Sequence, residues 1–236
     1  MIKAVFFDLD GTLLPLNEEI FTKGYFKLLC NYALPYGYEP NKLVESIWTC
    51  TKAMYKNNGE QTNQIVFWDN FAKIYGEEKK QDEKVFDRFY DTDFVNTKTF
   101  CGPNPLARQI IDYLRKQNIK IVLATNPIFP KNAITTRLKF IDLNEEDFDI
   151  ITSYEHFHYT KSSPKYYQEI LNILDLKPED VIMFGNNEIE DGEIAKEAGI
   201  KAYMVGEYII SASDTTTIFK HHKFNDVINI IESHLK

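Results

Sequence analysis

Two aspartates, Asp8 and Asp10, close a short apolar run, Val5-Phe6-Phe7, close to the start of the chain. Such a run reads as a strand buried on both faces, as in the middle of a parallel sheet. Side chains two apart on extended backbone point the same way, so both carboxylates can face one spot. Like charges held that close repel, and a hard cation with oxygen ligands, Mg2+, relieves the cost. Gly11 lets the chain turn sharply and approach a ligand closely. Asp-Gly is also ordinary turn chemistry. An EF-hand-like calcium loop fails, because Leu13 stands where that loop needs glycine and a strand, not a helix, precedes it.

Polar groups recur downstream at the ends of other apolar runs. Residues 119–124 (IKIVLA) end on Thr125-Asn126-Pro127, and Val181 to Phe184 end on Gly185-Asn186-Asn187, with Asp191 just beyond. Lys161 lies just ahead of a helix that starts at Pro164. In an open parallel sheet, ligands sit at the carboxyl ends of strands. A hydroxyl, an amide and an ammonium converging there with carboxylates and a metal suit a phosphoryl group, which needs a nucleophile, charge neutralisation and in-line geometry.

The elements that position these groups follow from periodicity. Residues 97–236 alternate helix and strand: helices at Pro105 to Gln117, Lys131 to Phe140, Pro164 to Leu174, Glu190 to Ala198 and Phe224 to Leu235, and strands at 119–124, 149–152, 181–184 and 201–205. With the first strand they predict an α/β fold, a doubly wound parallel sheet. Residues 16–96 lack short apolar strands and carry aromatic-rich stripes at helical spacing, broken at Pro35 to Pro40, Asn57-Asn58-Gly59 and Gly76. They predict an all-helical domain inserted into a core made of residues 1–15 and 97–236. Its aromatics read first as its own packing, with some free to face the site and select substrate. Ser211 to Thr217 reads as a loop.

The chain has 236 residues, 44% of them hydrophobic, enough for a sizeable core. A net charge of −8 argues against binding a nucleic-acid polymer or an anionic membrane. Cys30, Cys50 and Cys101 form neither a zinc pattern nor a disulfide framework, which suits a reducing compartment. With no secretory signal and no apolar run near the ~20 residues needed to span a bilayer, a cytoplasmic location is expected. Oligomeric state is not readable. His156 and His158 alternate, but lack a third ligand and read as a solvated edge. His221-His222 reads as a surface helix start, and Glu188, Glu190, Asp191 and Glu193 as partly decoration of a helix N-terminus.

In order and spacing these motifs resemble the haloacid dehalogenase-like (HAD) superfamily of phosphatases and phosphotransferases, over the whole chain. The first motif stands as Asp8-Leu9-Asp10-Gly11-Thr12 and the second as Thr125, followed by Asn126. The third fits Lys161-Ser162-Ser163-Pro164, where the family often has Lys-Pro; Lys165 is a lower-ranked alternative. The fourth, usually Gly-Asp followed by a further Asp, reads Gly185-Asn186 with Asp191. The helical insertion matches the family's cap domain. The resemblance implies a Mg2+-dependent phosphatase acting on a small phosphorylated metabolite through an aspartyl-phosphate. Asp8 would be the nucleophile and Asp10 the general acid and then base. The presence of Asp10 argues against dehalogenation. Thr125 would donate to phosphate, with Asn126 assisting, and Lys161 would neutralise charge; Gly11 and Thr12 shape the phosphate-facing turn. Mg2+ would be held by Asp8, the Asp10 carbonyl, Asn186 and Asp191. A phosphomutase, or a non-catalytic relative in view of Asn186, are the alternatives.

Overall fold

In the computed structural model, which describes residues 1–213 and 217–235, six parallel strands form one sheet in the order β3-β2-β1-β4-β5-β6. The strands are β1 (Ala4–Phe7), β2 (Lys120–Leu123), β3 (Ile150–Ile151), β4 (Val181–Gly185), β5 (Lys201–Val205) and β6 (His221–His222). The chain lays down β1 to β3 in one direction, then returns to place β4 to β6 on the other side of β1. The switch point therefore lies between β1 and β4, where a crevice opens at the carboxyl ends.

Strand alternation sorts the core into two layers. Val5 and Phe7, Ile121 and Leu123, and Ile182 and Phe184 join one apolar cluster with Ile110, Ile111 and Leu114 of α5 (Pro105–Lys116). Ala4 and Phe6, Val122 and Ala124, and Val181 and Met183 join the other, with Tyr166, Tyr167 and Ile170 of α7 (Pro164–Leu174). By the same two-residue period Asp8 follows Phe6 onto the α7 face.

Between β1 and α5 lie four α-helices, α1 (Glu18–Ala33), α2 (Pro40–Tyr55), α3 (Asn63–Tyr75) and α4 (Glu83–Asp91), with 3-10 turns after α1, α3 and α4, the last of which reaches Phe100. Their aromatic stripes pack on one another: Phe71 meets Trp68, Tyr38 and Phe86 at centroid distances of 5.2, 5.9 and 5.7 Å. That cluster is continuous with the sheet through Leu13, Leu14, Leu16 and Phe21. The helices are also tied to the strand-end loops by polar contacts. Asn63 donates its N–H to the Phe157 carbonyl at 2.9 Å and its side-chain amide to the Pro127 carbonyl at 3.0 Å.

Three local expectations are corrected. His221-His222 is not a helix start but the edge strand β6, paired with Met204 and Val205; the C-terminal α-helix α9 begins at Val227. Two residues are too few for periodicity to register as a strand. The helix expected from Glu190 is a π-helical turn, Glu188–Glu193, leading into the short α8 (Ile194–Glu197). Asn187 sets its width: its carbonyl accepts from both Asp191 and Gly192. Glu188 is fully buried rather than decorative. It accepts from the Ala212, Ile218 and Phe219 amides and pairs with His221 at 2.8 Å, pinning the segment that leads into β6. Burial pushes its carboxyl up, but these donors outweigh burial and hold it below its ordinary value. Of the expected loop at 211–217, residues 214–216 lie outside the described residues. Among the described residues no helix is long and apolar enough to cross a membrane.

Candidate active site

The carboxyl ends of β1, β2 and β4 meet where the polar motifs were expected. Asp8 donates its N–H to the Phe184 carbonyl, keeping β1 alongside β4 past the end of the strand. Lys161, 1% exposed, reaches in from the loop before α7 and places Nζ 2.5 Å from Asp8 Oδ1 and 2.6 Å from Asp191 Oδ1. The other oxygen of Asp191 accepts from the backbone N–H groups of Asn186 and Asn187 at 3.1 and 3.0 Å. The π-turn delivers this geometry by folding Asp191 back under the end of β4. Gly185 is required there, because a Cβ would lie 2.3 Å from the Asp191 carboxylate.

Thr12 bridges the same spot from the other side, with its hydroxyl 3.2 Å from Asp8 Oδ2 and 3.3 Å from Asn186 Oδ1. The Asn186 amide nitrogen donates to the Tyr208 carbonyl at 2.7 Å, which turns Oδ1 toward Thr12 and Asp8. Gly11 adopts φ +86°, and a Cβ there would strike the Asn186 side chain.

Thr125 follows β2, which runs in register with β1 as Phe7 opposite Leu123, so it stands one step beyond the neighbour of Asp8. Its carbonyl is fixed by the hydroxyls of Thr152 and Tyr166, at 2.6 and 2.9 Å. Its own hydroxyl makes no hydrogen bond to a described residue, although Thr125 is only 4% exposed. Lys165 is exposed and lies over the Tyr159 ring, so the lysine that meets Asp8 is Lys161. His158 pairs with Glu169 rather than with His156.

Asn126, expected to assist at the phosphate, also bonds three elements of the protein. Its Oδ1 accepts the Lys161 N–H at 3.3 Å, and its amide nitrogen donates to the Tyr55 hydroxyl at 2.9 Å and to Glu190 at 3.1 Å. These bonds tie the Lys161 loop, the end of α2 and the π-turn together.

Sequence reasoning missed Arg137. It lies on α6 (Lys131–Lys139), fully buried, stacks on Phe129 and forms an ion pair through Nη1 with Asp10 Oδ2. A signal was present: Arg137 shares the apolar stripe Ala133, Ile134, Leu138, where a charge needs a partner. Asp10 Oδ1 and Arg137 Nη2 are buried without a partner among the described residues.

The electrostatics are those of a buried acid that shares one ammonium with a second carboxylate. Burial pushes the Asp8 carboxyl up to about 7, with Lys161 pulling it down and Asp191 adding to the rise. Burial alone would depress the Lys161 ammonium, but Asp191 and Asp8 outweigh it and hold it well above its ordinary value. Among the described residues no three His, Cys, Asp or Glu side chains cluster to hold a metal. The oxygen donors nevertheless fit a hard cation: Asp8 Oδ2 and Asn186 Oδ1 converge on one hydroxyl, and a divalent charge there would stabilise ionised Asp8. The oxygens of Asp191 bond Lys161 and the two amides.

Residues 2–199 match the sequence profile of the haloacid dehalogenase-like hydrolases. The chain belongs to this family. The hydrolase is 26% identical over 200 residues to a phosphorylated carbohydrates phosphatase of Thermotoga maritima, spanning 85% of this chain and 83% of that protein. It is also 26% identical over 239 residues to the pyrophosphatase PpaX of Bacillus cereus, spanning 98% and 96%. Among solved structures it resembles a HAD phosphatase from Thermococcus onnurineus, with a TM-score of 0.60 at 19% identity and 98% coverage of each chain. A 2-haloacid dehalogenase from Pseudomonas syringae gives 0.64 at 18% identity, with 99% coverage of each. At those identities the structural likeness speaks to the fold alone.

Proposed function

We propose that this hydrolase is a Mg2+-dependent phosphatase that releases inorganic phosphate from a small phosphorylated metabolite. The observation that carries the reading is the buried Asp8–Lys161–Asp191 array at the ends of β1 and β4, with Thr125, whose hydroxyl bonds no described residue, at the end of the neighbouring β2. The relatives named as phosphatases support it. The Asp8 carboxylate attacks phosphorus, the bond to the leaving oxygen breaks, and Asp10 supplies a proton to that oxygen. Water then attacks phosphorus of the aspartyl-phosphate, Asp10 takes its proton, and phosphate leaves with Asp8 restored. Lys161 offsets charge on Asp8 and on the transferring group, and Thr125 donates to a phosphate oxygen. Asp8, the Asp10 carbonyl and Asn186 would hold Mg2+, which when bound supplies positive charge toward the phosphoryl oxygens. Asp191 acts through Lys161. The helices of residues 16–96 serve as a cap that covers the site and excludes water.

Phosphate release from acetyl phosphate, dependent on Mg2+, tests the reading. No release at millimolar Mg2+ would sink it, and return of the phosphoryl group to a sugar would make the protein a mutase instead.

Asn186→Asp should tighten Mg2+ binding by calorimetry, by about tenfold or more, since an added carboxylate near a cation gains up to ~4 kcal/mol at a moderate effective dielectric. The same change removes the donor to the Tyr208 carbonyl and sets a second carboxylate beside Asp8. The metal-free variant should therefore melt below the wild type and recover with Mg2+. Unchanged affinity would remove Asn186 from the ligand set.

Arg137→Met should lower kcat by about 10- to 100-fold, the scale expected when a reacting group loses its orientation. The loss should be larger for an alkyl phosphate, whose leaving oxygen needs the proton, than for acetyl phosphate. Equal losses would mean that Arg137 does not act through Asp10.

A further inference from the structure

We propose, resting on the phosphatase reading, that the substrate carries its phosphate on a compact aromatic alcohol and has no second charged group. A cavity of about 180 Å³ lies between α1 to α4 and the segment 128–130, with Asp10 among its lining residues. Helices that merely packed on each other would leave little void larger than a water molecule. This space is comparable to the ~150 Å³ cavity that accepts a benzene ring in an engineered protein core. Its walls are aromatic, among them Tyr25, Phe26, Trp48, Phe67, Trp68 and Phe129. Trp48 is 45% exposed, so a large apolar face is left uncovered on a surface that also holds the proposed acid.

Most polar edges of the aromatic walls are spent elsewhere, and the Thr22 and Thr51 hydroxyls of the lining bond no described residue. The Tyr25 hydroxyl bonds that of Tyr90 at 2.8 Å, Trp68 Nε1 reaches the Tyr154 hydroxyl at 3.4 Å, and the Tyr55 hydroxyl is held by Asn126 and Glu190. A polyhydroxylated leaving group would find few partners and would strand its hydroxyls. A flat ring would gain offset or edge contacts with several walls at once.

Charge excludes the other class. The charged groups lining the cavity are Asp10 and Glu18, and no Lys, Arg or His lines it among the described residues. Burial, then Asp10, then Asp191 push the Glu18 carboxyl up, as expected in a space short of cations. Arg137 lies behind the wall, paired with Asp10, so a second anion on the substrate would enter against Glu18 with no cation on the lining to meet it.

The test compares kcat/KM for 2-phenylethyl phosphate, glucose 6-phosphate and 2-phosphoglycolate, with acetyl phosphate as a reporter that scarcely uses the cavity. The aromatic ester should lead both others by about tenfold or more, the scale at which an apolar pocket discriminates. If acetyl phosphate is turned over and either of the others equals the aromatic ester, the inference is overturned while the phosphatase reading stands. Binding is read separately, as quenching of Trp48 and Trp68 fluorescence by 2-phenylethanol. Saturable quenching that is lost in Thr22→Trp, which fills the cavity from α1, supports the inference even if no ester is hydrolysed. Absence of quenching overturns it. Thr22→Lys places a cation in the cavity and should move the preference toward 2-phosphoglycolate by about tenfold or more, and an unmoved ratio counts against the inference.

Discussion

Asp8→Asn should abolish phosphate release, a fall of at least about 10⁴-fold in kcat, while making the metal-free protein more stable at neutral pH. The first half follows from removing the proposed nucleophile. The second follows from the environment of Asp8, whose carboxyl is raised from 3.8 to about 7, chiefly by burial. A carboxyl raised by folding binds its proton more tightly in the native state than in the unfolded chain. Its stabilising contribution is complete below about pH 4 and is lost as pH rises through about 7. Asparagine cannot titrate and resembles the protonated acid. The melting temperatures of variant and wild type should therefore coincide near pH 4 and separate toward pH 7.5, with the variant higher. Mg2+ should narrow or reverse the gap, because it binds the folded wild type and stabilises it by mass action. A gap that does not vary with pH, or phosphate release within tenfold of wild type, would refute this account of Asp8.

How much of this could be read from the sequence depends on the reach of the interaction. The strands and the groups at their ends were legible, because a two-residue period and a polar break are local. Asp8, Thr12, Lys161, Asn186 and Asp191 gather at the switch point for that reason. The parity that carries Asp8 onto the face of α7 also explains why the lysine before that helix, and not Lys165 within it, reaches the carboxylate. Arg137 was not legible as the partner of Asp10, since 127 positions separate them and only the folded chain sets them together. The contacts of Asn126 with α2 and the π-turn were not legible either, since Tyr55 and Glu190 stand 71 and 64 positions away. The acid cluster looked uniform in sequence but divides in three: Glu188 pins a loop, Glu190 braces Asn126, and Asp191 pairs with Lys161. Only the local widening of the π-turn separates those roles.

Lys161→Met should be the most destabilising single change in the site. It keeps the bulk of the side chain and removes the cation that two buried carboxylates share. Breaking a buried ion pair from one side costs about 3–5 kcal/mol, because the remaining charge stays desolvated and uncompensated. For a chain of this size each kcal/mol moves the melting temperature by about 2–4 °C, so a drop of roughly 6–20 °C is expected at pH 7.5. The loss should shrink as pH falls toward 5, where Asp8 takes up its proton and only Asp191 is left to need a partner. Phosphate release should fall by about 10²–10³-fold, as when one preorganised electrostatic group is deleted. Mg2+ distinguishes a site lysine from a merely structural one. If Asp8 and Asn186 hold the ion beside the vacated ammonium position, Mg2+ should raise the melting temperature of Lys161→Met by more than that of the wild type, since it then stands as the main counter-charge to Asp8. A variant that melts with the wild type at neutral pH, or gains no more from Mg2+, would mean that the two carboxylates do not depend on Lys161, and the array on which the proposed chemistry rests would lose its central charge.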